Sequence, residues 1–228
     1  MACWSAENAT KAYLNTLKMG QKAKEPAVAE FISALAAGNN AQLMVVACSG
    51  AADSTTLLAL VAAANQTGGH VICIVPSYEE LSASKNVVGR MASNKVQFMV
   101  GEAEILLLNH YAAADFVLID CKLKNHEEIL KAVQVGGRKQ NGTVVVGYNA
   151  FVCKGSRWSS SSSCGSRTQL LPIGEGLLVT RFGSSTVHSP KHGMNNKIKS
   201  RWVVKVDKCT GEEHVFRVRF PQGKVIQA

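Results

Sequence analysis

Short, mostly apolar runs alternate along most of the chain with segments in which apolar residues recur every three to four positions. Apolar runs of about five residues are typical of strands that are buried on both faces of a sheet. Five runs are predicted to be strands: residues 43–47, 70–75, 96–100, 116–119 and 143–147. Because a helix separates each strand from the next, the strands are expected to be parallel with right-handed crossovers. The pattern predicts an α/β fold, a doubly wound, Rossmann-like and mostly parallel sheet.

Helices are predicted before and between these strands. Ser5 can cap the first helix, with Asn8 three residues on in a weak form of the capping box. Gly38 and the Gly68-Gly69 pair are typical stop signals after a helix. The predicted helices cover residues 4–14, 27–37, 55–65, 81–91, 102–109 and 125–133. A helical N-terminus is therefore expected to precede the alternating units.

After the fifth strand the pattern changes. Residues 156–166 are rich in serine and typical of a loop. Two short strands are predicted around the turn Gly174-Glu175-Gly176, and a β-hairpin is predicted from the strands 201–207 and 213–220. The chain is expected to have two parts, an α/β domain and a basic C-terminal extension with the hairpin: residues 1–183 and residues 184–228.

The chain carries a formal net charge of +9, and most of the excess lies near its end. From Lys191 onward there are nine lysines and arginines against three acids. A basic tail can attract nucleic acid or an acidic partner. Trp202 and Phe216 lie among the basic residues, but they fit the alternating faces of a hairpin better than a stacking platform for bases. We favour a solvated basic surface, with weak contact to nucleic acid or an acidic partner as the alternative.

The cysteines and the apolar segments indicate in which cellular compartment the protein is expected. Seven cysteines are present without a C-x-x-C pair, which is typical of free thiols in a reducing compartment. No apolar run reaches the roughly 18 residues that span a bilayer. The first residues lack the basic and apolar regions of a secretory signal. A cytoplasmic location is expected, with a nuclear one left open and no membrane partner.

Ligands of an open parallel sheet bind outside the carboxyl ends of its strands, where the strand order reverses. The loop at 48–54 offers backbone N–H groups and a helix N-terminus, which favour an anion. It lacks the Gly-Lys-Ser/Thr of a P-loop and carries one glycine where dinucleotide-binding loops carry several. A simple βα turn is an equally good interpretation of this loop alone. The residues predicted to bind a cofactor are Cys48, Ser49, Gly50, Asp53, Ser54, Ser77, Gly101, Glu102, Ala103 and Asp120.

Polar residues end the fourth and fifth predicted strands. A carboxylate at the end of an apolar strand, such as Asp120, is costly to bury unless it meets water, a cation or a donor. A cap of the next helix is the structural alternative. Asp120 and Asn149 are expected to face one crevice, and the predicted catalytic residues are Asp120, Tyr148 and Asn149. Two oxygen ligands are few for magnesium or calcium, so no metal site is predicted. No Gly-x-Ser-x-Gly elbow occurs, which disfavours a serine hydrolase.

Four stretches of the sequence follow one another in the order in which similar stretches occur in a known protein family. They read Gly101-Glu102-Ala103, Asp115-Phe116-Val117-Leu118-Ile119-Asp120-Cys121, Gly147-Tyr148-Asn149-Ala150 and Leu171-Pro172-Ile173-Gly174-Glu175-Gly176-Leu177. Together they resemble class I S-adenosylmethionine-dependent methyltransferases, and most of all the caffeoyl-CoA and catechol O-methyltransferase branch. Residues 4–17 and 28–38 more closely resemble a plant family of unknown function that is described as candidate methyltransferases.

The resemblance implies a class I methyltransferase fold over residues 1–183, with S-adenosylmethionine as cofactor. It implies methyl transfer to a small-molecule acceptor, a reaction in which alignment of the two reactants does most of the work. Asp120 or Tyr148 would then orient or deprotonate the acceptor. The serine-rich segment would serve as a lid. The oligomeric state is left open, with a homodimer as one alternative.

The chain also departs from this family. The signature loop, acid-x-Gly-x-Gly-x-Gly, is reduced to residues 47–53, and Pro76 stands where an acid would bind the ribose. The catechol branch binds its metal through three positions, which are here Asp120, Asn149 and Ala150. The family has a second acid just after the first ligand, and this residue is here Lys122. Since only the first is kept, no catechol-type metal is expected. The alternative is a catalytically degenerate methyltransferase fold that binds a nucleoside or a protein partner.

Overall fold

The structure is a computed structural model of the chain. It describes residues 4–19, 28–88, 94–137, 142–152, 158, 167–182, 200–206 and 213–219, the last two ranges as backbone. The chain divides into two compact units, Met1–Ser185 and Thr186–Ala228. The division after residue 183 stays a proposal about domain organisation.

The first unit alternates helices and strands. Its described helices are α1 (Ala6–Met19), α2 (Val28–Gly38), α3 (Ser54–Thr67), α4 (Tyr78–Val88), α5 (Ala103–Asn109) and α6 (His126–Gly137). Its described strands are β1 (Leu43–Ala47), β2 (His70–Val75), β3 (Val96–Val100), β4 (Phe116–Asp120), β5 (Thr143–Tyr148), β6 (Arg167–Leu171) and β7 (Leu177–Phe182). A short 3₁₀ helix, Ala150–Val152, follows β5. Across the described ranges, none of the helices is long and apolar enough to cross a membrane.

Seven strands form one sheet in the order β3-β2-β1-β4-β5-β7-β6. The first five pair in parallel, whereas β7 lies antiparallel between β5 and β6. The predicted doubly wound, mostly parallel sheet is confirmed. The strand order reverses between β1 and β4, where Ala47 pairs with Ile119. The loops after β1 and β4 therefore meet, as expected for a ligand crevice in an open α/β sheet.

Two apolar layers hold the sheet, because successive strand residues point to opposite faces. The strands β1, β4 and β5 are buried almost throughout. One layer joins strand residues such as Val46 to Leu60 of α3. The other joins Val117 to Ile129 of α6 and to Trp158. Burial on both faces keeps the strands in register, and this register places the side chains at their carboxyl ends.

Caps explain where several helices begin and end. Ser5 Oγ accepts the Asn8 N–H at 3.2 Å, which confirms the predicted cap of α1. Gly68 ends α3 with φ 78°, a left-handed conformation that glycine adopts without steric cost. The predicted start of α4 at residue 81 is wrong. The helix begins at Tyr78, because Ser77 Oγ accepts the Glu80 N–H at 3.3 Å and caps the earlier turn.

The second unit contains β8 (Ser200–Val206) and β9 (Glu213–Arg219). They form an antiparallel pair in which Val203 lies opposite Phe216. The predicted pairing of these two strands is confirmed. The predicted serine-rich loop at 156–166 lies, apart from Trp158, outside the described residues.

Candidate functional site

Asp120 joins the carboxyl ends of three strands. It ends β4 and is 6% exposed. Its Oδ2 accepts the Ser49 hydroxyl at 2.5 Å, and its Oδ1 accepts the Lys122 N–H at 3.0 Å and the Asn149 side-chain amide at 2.9 Å. Three donors thus satisfy a carboxylate that would otherwise be costly to bury. The predicted common crevice of Asp120 and Asn149 is present, and Ser49 lies in it too.

Asn149 has a left-handed backbone conformation, φ 57°, which is uncommon for residues other than glycine. The next residue is held in place, because the Ala150 N–H donates to the Gly176 carbonyl at 3.0 Å. The turn Gly174-Glu175-Gly176 therefore lies against the end of β5. Since the Asn149 amide nitrogen donates to Asp120, the Asn149 Oδ1 remains as the acceptor of this side chain.

Tyr148 presents a neutral hydroxyl to the same crevice. The residue is 8% exposed, and burial raises the pKa of its phenol, with smaller contributions from Cys48 and from the Asp120 and Asp53 carboxylates. Among the described residues its hydroxyl has no hydrogen-bond partner, and it is not among the atoms sealed from solvent. The hydroxyl is therefore suited to orient a ligand rather than to take a proton from it.

Asp53 caps α3 and keeps a negative charge at the crevice. Its Oδ2 accepts the Thr56 N–H at 2.8 Å and the Thr55 hydroxyl at 2.6 Å. Burial alone would raise the pKa of Asp53, but these hydrogen bonds and the positive charge of Lys122 outweigh it and lower the pKa. Asp53 is therefore a carboxylate at neutral pH.

We expect the substitution Asp53→Asn to lower the free energy of unfolding by about 0.5 kcal/mol at neutral pH. Asparagine keeps the cap on the Thr56 N–H but removes the charge beside the helix N-terminus and Lys122. Because the folded pKa is lowered, the carboxylate stabilises the fold above its unfolded pKa, and this contribution is lost as the pH falls through the folded pKa. Urea unfolding at pH values from about 7 down to about 2.5 should show that wild type and Asp53→Asn approach the same free energy of unfolding. A difference that stays constant over this range would contradict the charge argument.

The loop after β1 leaves three backbone donors free. The N–H groups of Ser49, Gly50 and Ala51 have no hydrogen-bond partner within the described part of the chain. The Ala52 N–H differs, because it donates to the Ser84 hydroxyl of α4 at 2.8 Å. Adjacent free N–H groups next to a helix N-terminus form an electropositive turn. The loop can therefore bind a carboxylate of a ligand.

A cavity of about 640 Å³ lies at the ends of β1, β4 and β5. The predicted site residues that line it are Ser49, Gly50, Asp53, Asp120, Tyr148 and Asn149. Its other polar residues were not among the predicted catalytic or cofactor-binding residues: Thr55, Thr56, Lys122 and Glu175. The two threonines follow the predicted loop directly, whereas for Glu175 the available signal was its position between two glycines. Val28 and Ala29 of α2 also line the cavity.

A second cavity, of about 330 Å³, lies at the ends of β2 and β3. Its lining residues are Cys48, Ile74, Pro76, Gly101, Glu102, Ala103, Leu123, Asn125 and Ile129. Because Cys48 and Ser49 are consecutive, the loop after β1 borders both cavities. Two predicted residues line neither of them: Ser54 begins α3, and Ser77 caps α4.

Cys48 borders the second cavity as a neutral thiol. Its Sγ lies 3.9 Å from the Sγ of Cys73. This contact, followed by burial, raises the pKa of the Cys48 thiol. A thiol of this kind packs as a small apolar group and is a poor nucleophile.

The donor set around Asp120 does not fit a hard cation. Ser49, Lys122 and Asn149 all direct hydrogen-bond donors at the carboxylate, whereas magnesium and calcium require several oxygen ligands. The described residues contain no group of three or more His, Cys, Asp or Glu side chains that could hold a metal ion.

Several solved structures share this arrangement of sheet and helices. A candidate caffeoyl-CoA O-methyltransferase from Staphylococcus aureus is 16% identical, with a TM-score of 0.56 over 78% of this chain and 93% of that chain. The methyltransferase PaMTH1 from Podospora anserina, bound to SAH, is 12% identical, with a TM-score of 0.55 over 80% and 91%. The O-methyltransferase TomG from Streptomyces achromogenes, in complex with SAM, is 13% identical, with a TM-score of 0.54 over 81% and 93%. These similarities show a class I methyltransferase fold.

Sequence comparison adds a family. A family model described as "Protein of unknown function (DUF1442)" matches residues 1–218. No curated protein matches the sequence.

Proposed function

The chain belongs to the DUF1442 family of proteins of unknown function, and we propose that it binds S-adenosylmethionine and transfers a methyl group to a small-molecule acceptor. The observation that carries this proposal is that two cavities border the loop after β1, where the strand order of a class I methyltransferase fold reverses. Both cavities are in the range of small-molecule sites. We assign the smaller one to the base of the cofactor, and the larger one to its amino-acid part and to the acceptor.

The residues of the loop after β1 fit the amino-acid part of such a cofactor. The free N–H groups of Ser49, Gly50 and Ala51, next to α3, suit its carboxylate. The Asp53 carboxylate suits its ammonium group, because one Asp53 oxygen is left over from the helix cap. When bound, S-adenosylmethionine supplies an activated methyl group on a sulfonium sulfur.

The larger cavity has the means to orient an acceptor. Tyr148 offers a neutral hydroxyl and Asn149 a carbonyl oxygen, and both line the cavity. Asp120 fixes the relative position of the strand ends through its three hydrogen bonds, so we assign it a positioning role. Since alignment contributes most to methyl transfer, these roles suffice without a catechol-type metal.

Calorimetric titration of the purified protein with S-adenosylmethionine and S-adenosylhomocysteine tests the proposal. We expect micromolar binding that is the same with and without magnesium. A radiolabelled methyl donor should then label a member of a panel of small hydroxyl and amine acceptors. The absence of binding at millimolar ligand would overturn the proposal.

A second candidate is a module that binds a nucleoside without transferring a methyl group. The signature loop favours it, because Ser49, Ala51 and Asp53 stand where the methyltransferases carry glycines. The Ser49 hydroxyl is also committed to Asp120. Binding of S-adenosylhomocysteine together with no labelled product from any acceptor in the panel would support this candidate over the enzyme.

A further inference from the structure

The end of β2 offers no carboxylate that could bind the hydroxyl groups of a sugar. In open nucleotide-binding sheets an acid that follows the second strand hydrogen-bonds the ribose hydroxyls. Here β2 ends at Val75, and Pro76 and Ser77 follow. The Ser77 hydroxyl accepts the Glu80 N–H and caps α4. A ribose at this edge of the sheet would need a carboxylate from elsewhere.

The first turn of α4 is held against the loop after β1. Ser84 is fully buried and donates to the Glu80 carbonyl at 2.6 Å. Its hydroxyl also accepts the Ala52 N–H at 2.8 Å. This one side chain therefore connects α4 to the loop after β1, and it fixes the position of Glu80 along the edge of the sheet.

The Glu80 carboxylate lies beside Gly50. A β-carbon built on Gly50 would be 3.7 Å from Glu80 Oε1 and 3.8 Å from Oε2. Glu80 is half-buried, whereas its neighbour Glu79 is exposed. Within the described residues the Glu80 carboxylate has no hydrogen-bond partner, and neither of its oxygens is sealed from solvent. Both oxygens can therefore accept hydrogen bonds from a ligand.

We propose that Glu80 binds the two neighbouring ribose hydroxyls of the cofactor and so takes the place of the acid that β2 lacks. The inference rests on the proposed cofactor. The two oxygens of one carboxylate match the two O–H groups of a vicinal diol. Gly50, which has no side chain, leaves the carboxylate accessible from the loop. The ligand class is a nucleoside with an intact ribose, and Glu80 is the residue that distinguishes it from a deoxynucleoside.

Titration of S-adenosylhomocysteine and its 2′-deoxy analogue into matched variants tests the assignment. Glu80→Gln keeps the size of the side chain and removes its charge, and Glu79→Gln makes the same change one residue away. We expect Glu80→Gln to weaken the binding of S-adenosylhomocysteine by about 10- to 100-fold. Glu79→Gln should bind like wild type. The 2′-deoxy analogue should bind wild type more weakly than S-adenosylhomocysteine, and Glu80→Gln should add little to that loss.

The comparison of S-adenosylhomocysteine with its 2′-deoxy analogue distinguishes a direct contact between Glu80 and the ribose from a purely structural role of Glu80. A purely structural role would weaken both ligands equally in Glu80→Gln, and that result would overturn the proposal. Equal binding of S-adenosylhomocysteine by wild type and Glu80→Gln would overturn it too, while leaving the proposed function standing. No binding by wild type would refute the proposed function and this assignment together. If Glu80→Gln fails to fold, Glu80→Asp serves instead, and it must discriminate between the two ligands less than wild type does.

Discussion

Replacing Gly50 with valine is expected to weaken the binding of S-adenosylhomocysteine by about 100-fold, the largest change in binding that we predict. The folded protein has room for a β-carbon at this position. Gly50 is not among the residues with positive φ, and the atoms nearest to an added β-carbon are those of the Glu80 carboxylate, at 3.7 Å and beyond. We expect the cost to fall on the ligand, because the valine methyl groups would crowd the Glu80 carboxylate and the adjacent loop, to which we assign the cofactor.

Calorimetry and urea unfolding of the same samples check this expectation. The free energy of unfolding should stay within about 1 kcal/mol of wild type. Gly50→Ala, which adds one methyl group in ordinary contact with Glu80, should lie between wild type and Gly50→Val in binding. Unchanged binding by Gly50→Val would show that no ligand passes over this loop. If Gly50→Ala and Gly50→Val each lose as much free energy of unfolding as free energy of binding, the loop has a structural role instead.

The substitution Asp120→Ala is expected to lower the free energy of unfolding by about 3 kcal/mol, the largest effect on stability that we predict. The carboxylate accepts donors from Ser49, Lys122 and Asn149, and alanine leaves all three without an acceptor. The ends of β1, β4 and β5 would lose their common partner. S-adenosylhomocysteine binding should weaken as well, because the loop after β1 is no longer held.

Two controls separate the contributions of Asp120. Asp120→Asn keeps an acceptor for two of the donors and should cost less stability than the alanine variant. Asp115→Ala is matched in chemistry, because Asp115 accepts the N–H groups of Gln42 and Leu43 at 2.9 and 3.2 Å at the opposite edge of the sheet. It should lower stability without a change in ligand binding. An Asp120→Ala variant as stable as wild type would refute the joining role of this carboxylate.

The sequence was most informative where a structural property is local. A run of about five apolar residues is typical of a strand that is buried on both faces, so the strands could be predicted from the local pattern of apolar residues. The shared crevice of Asp120 and Asn149 followed from one further rule, that parallel strands end at the same edge of a sheet. The start of α4 was missed, because Ser77 was read as part of a ligand loop whereas its hydroxyl caps the helix.

The chain's own sequence thus determined the fold class, the order of its elements and the edge at which a ligand would bind. Only the tertiary structure decided which further side chains meet there. Glu80 lies beside Gly50, and the Ser49 hydroxyl lies on Asp120, although these partners are far apart in sequence. Glu175 joins the larger cavity from a distant turn. Such contacts depend on strand register and helix packing, which arise from the whole core, and a local pattern of residues carries no information about them.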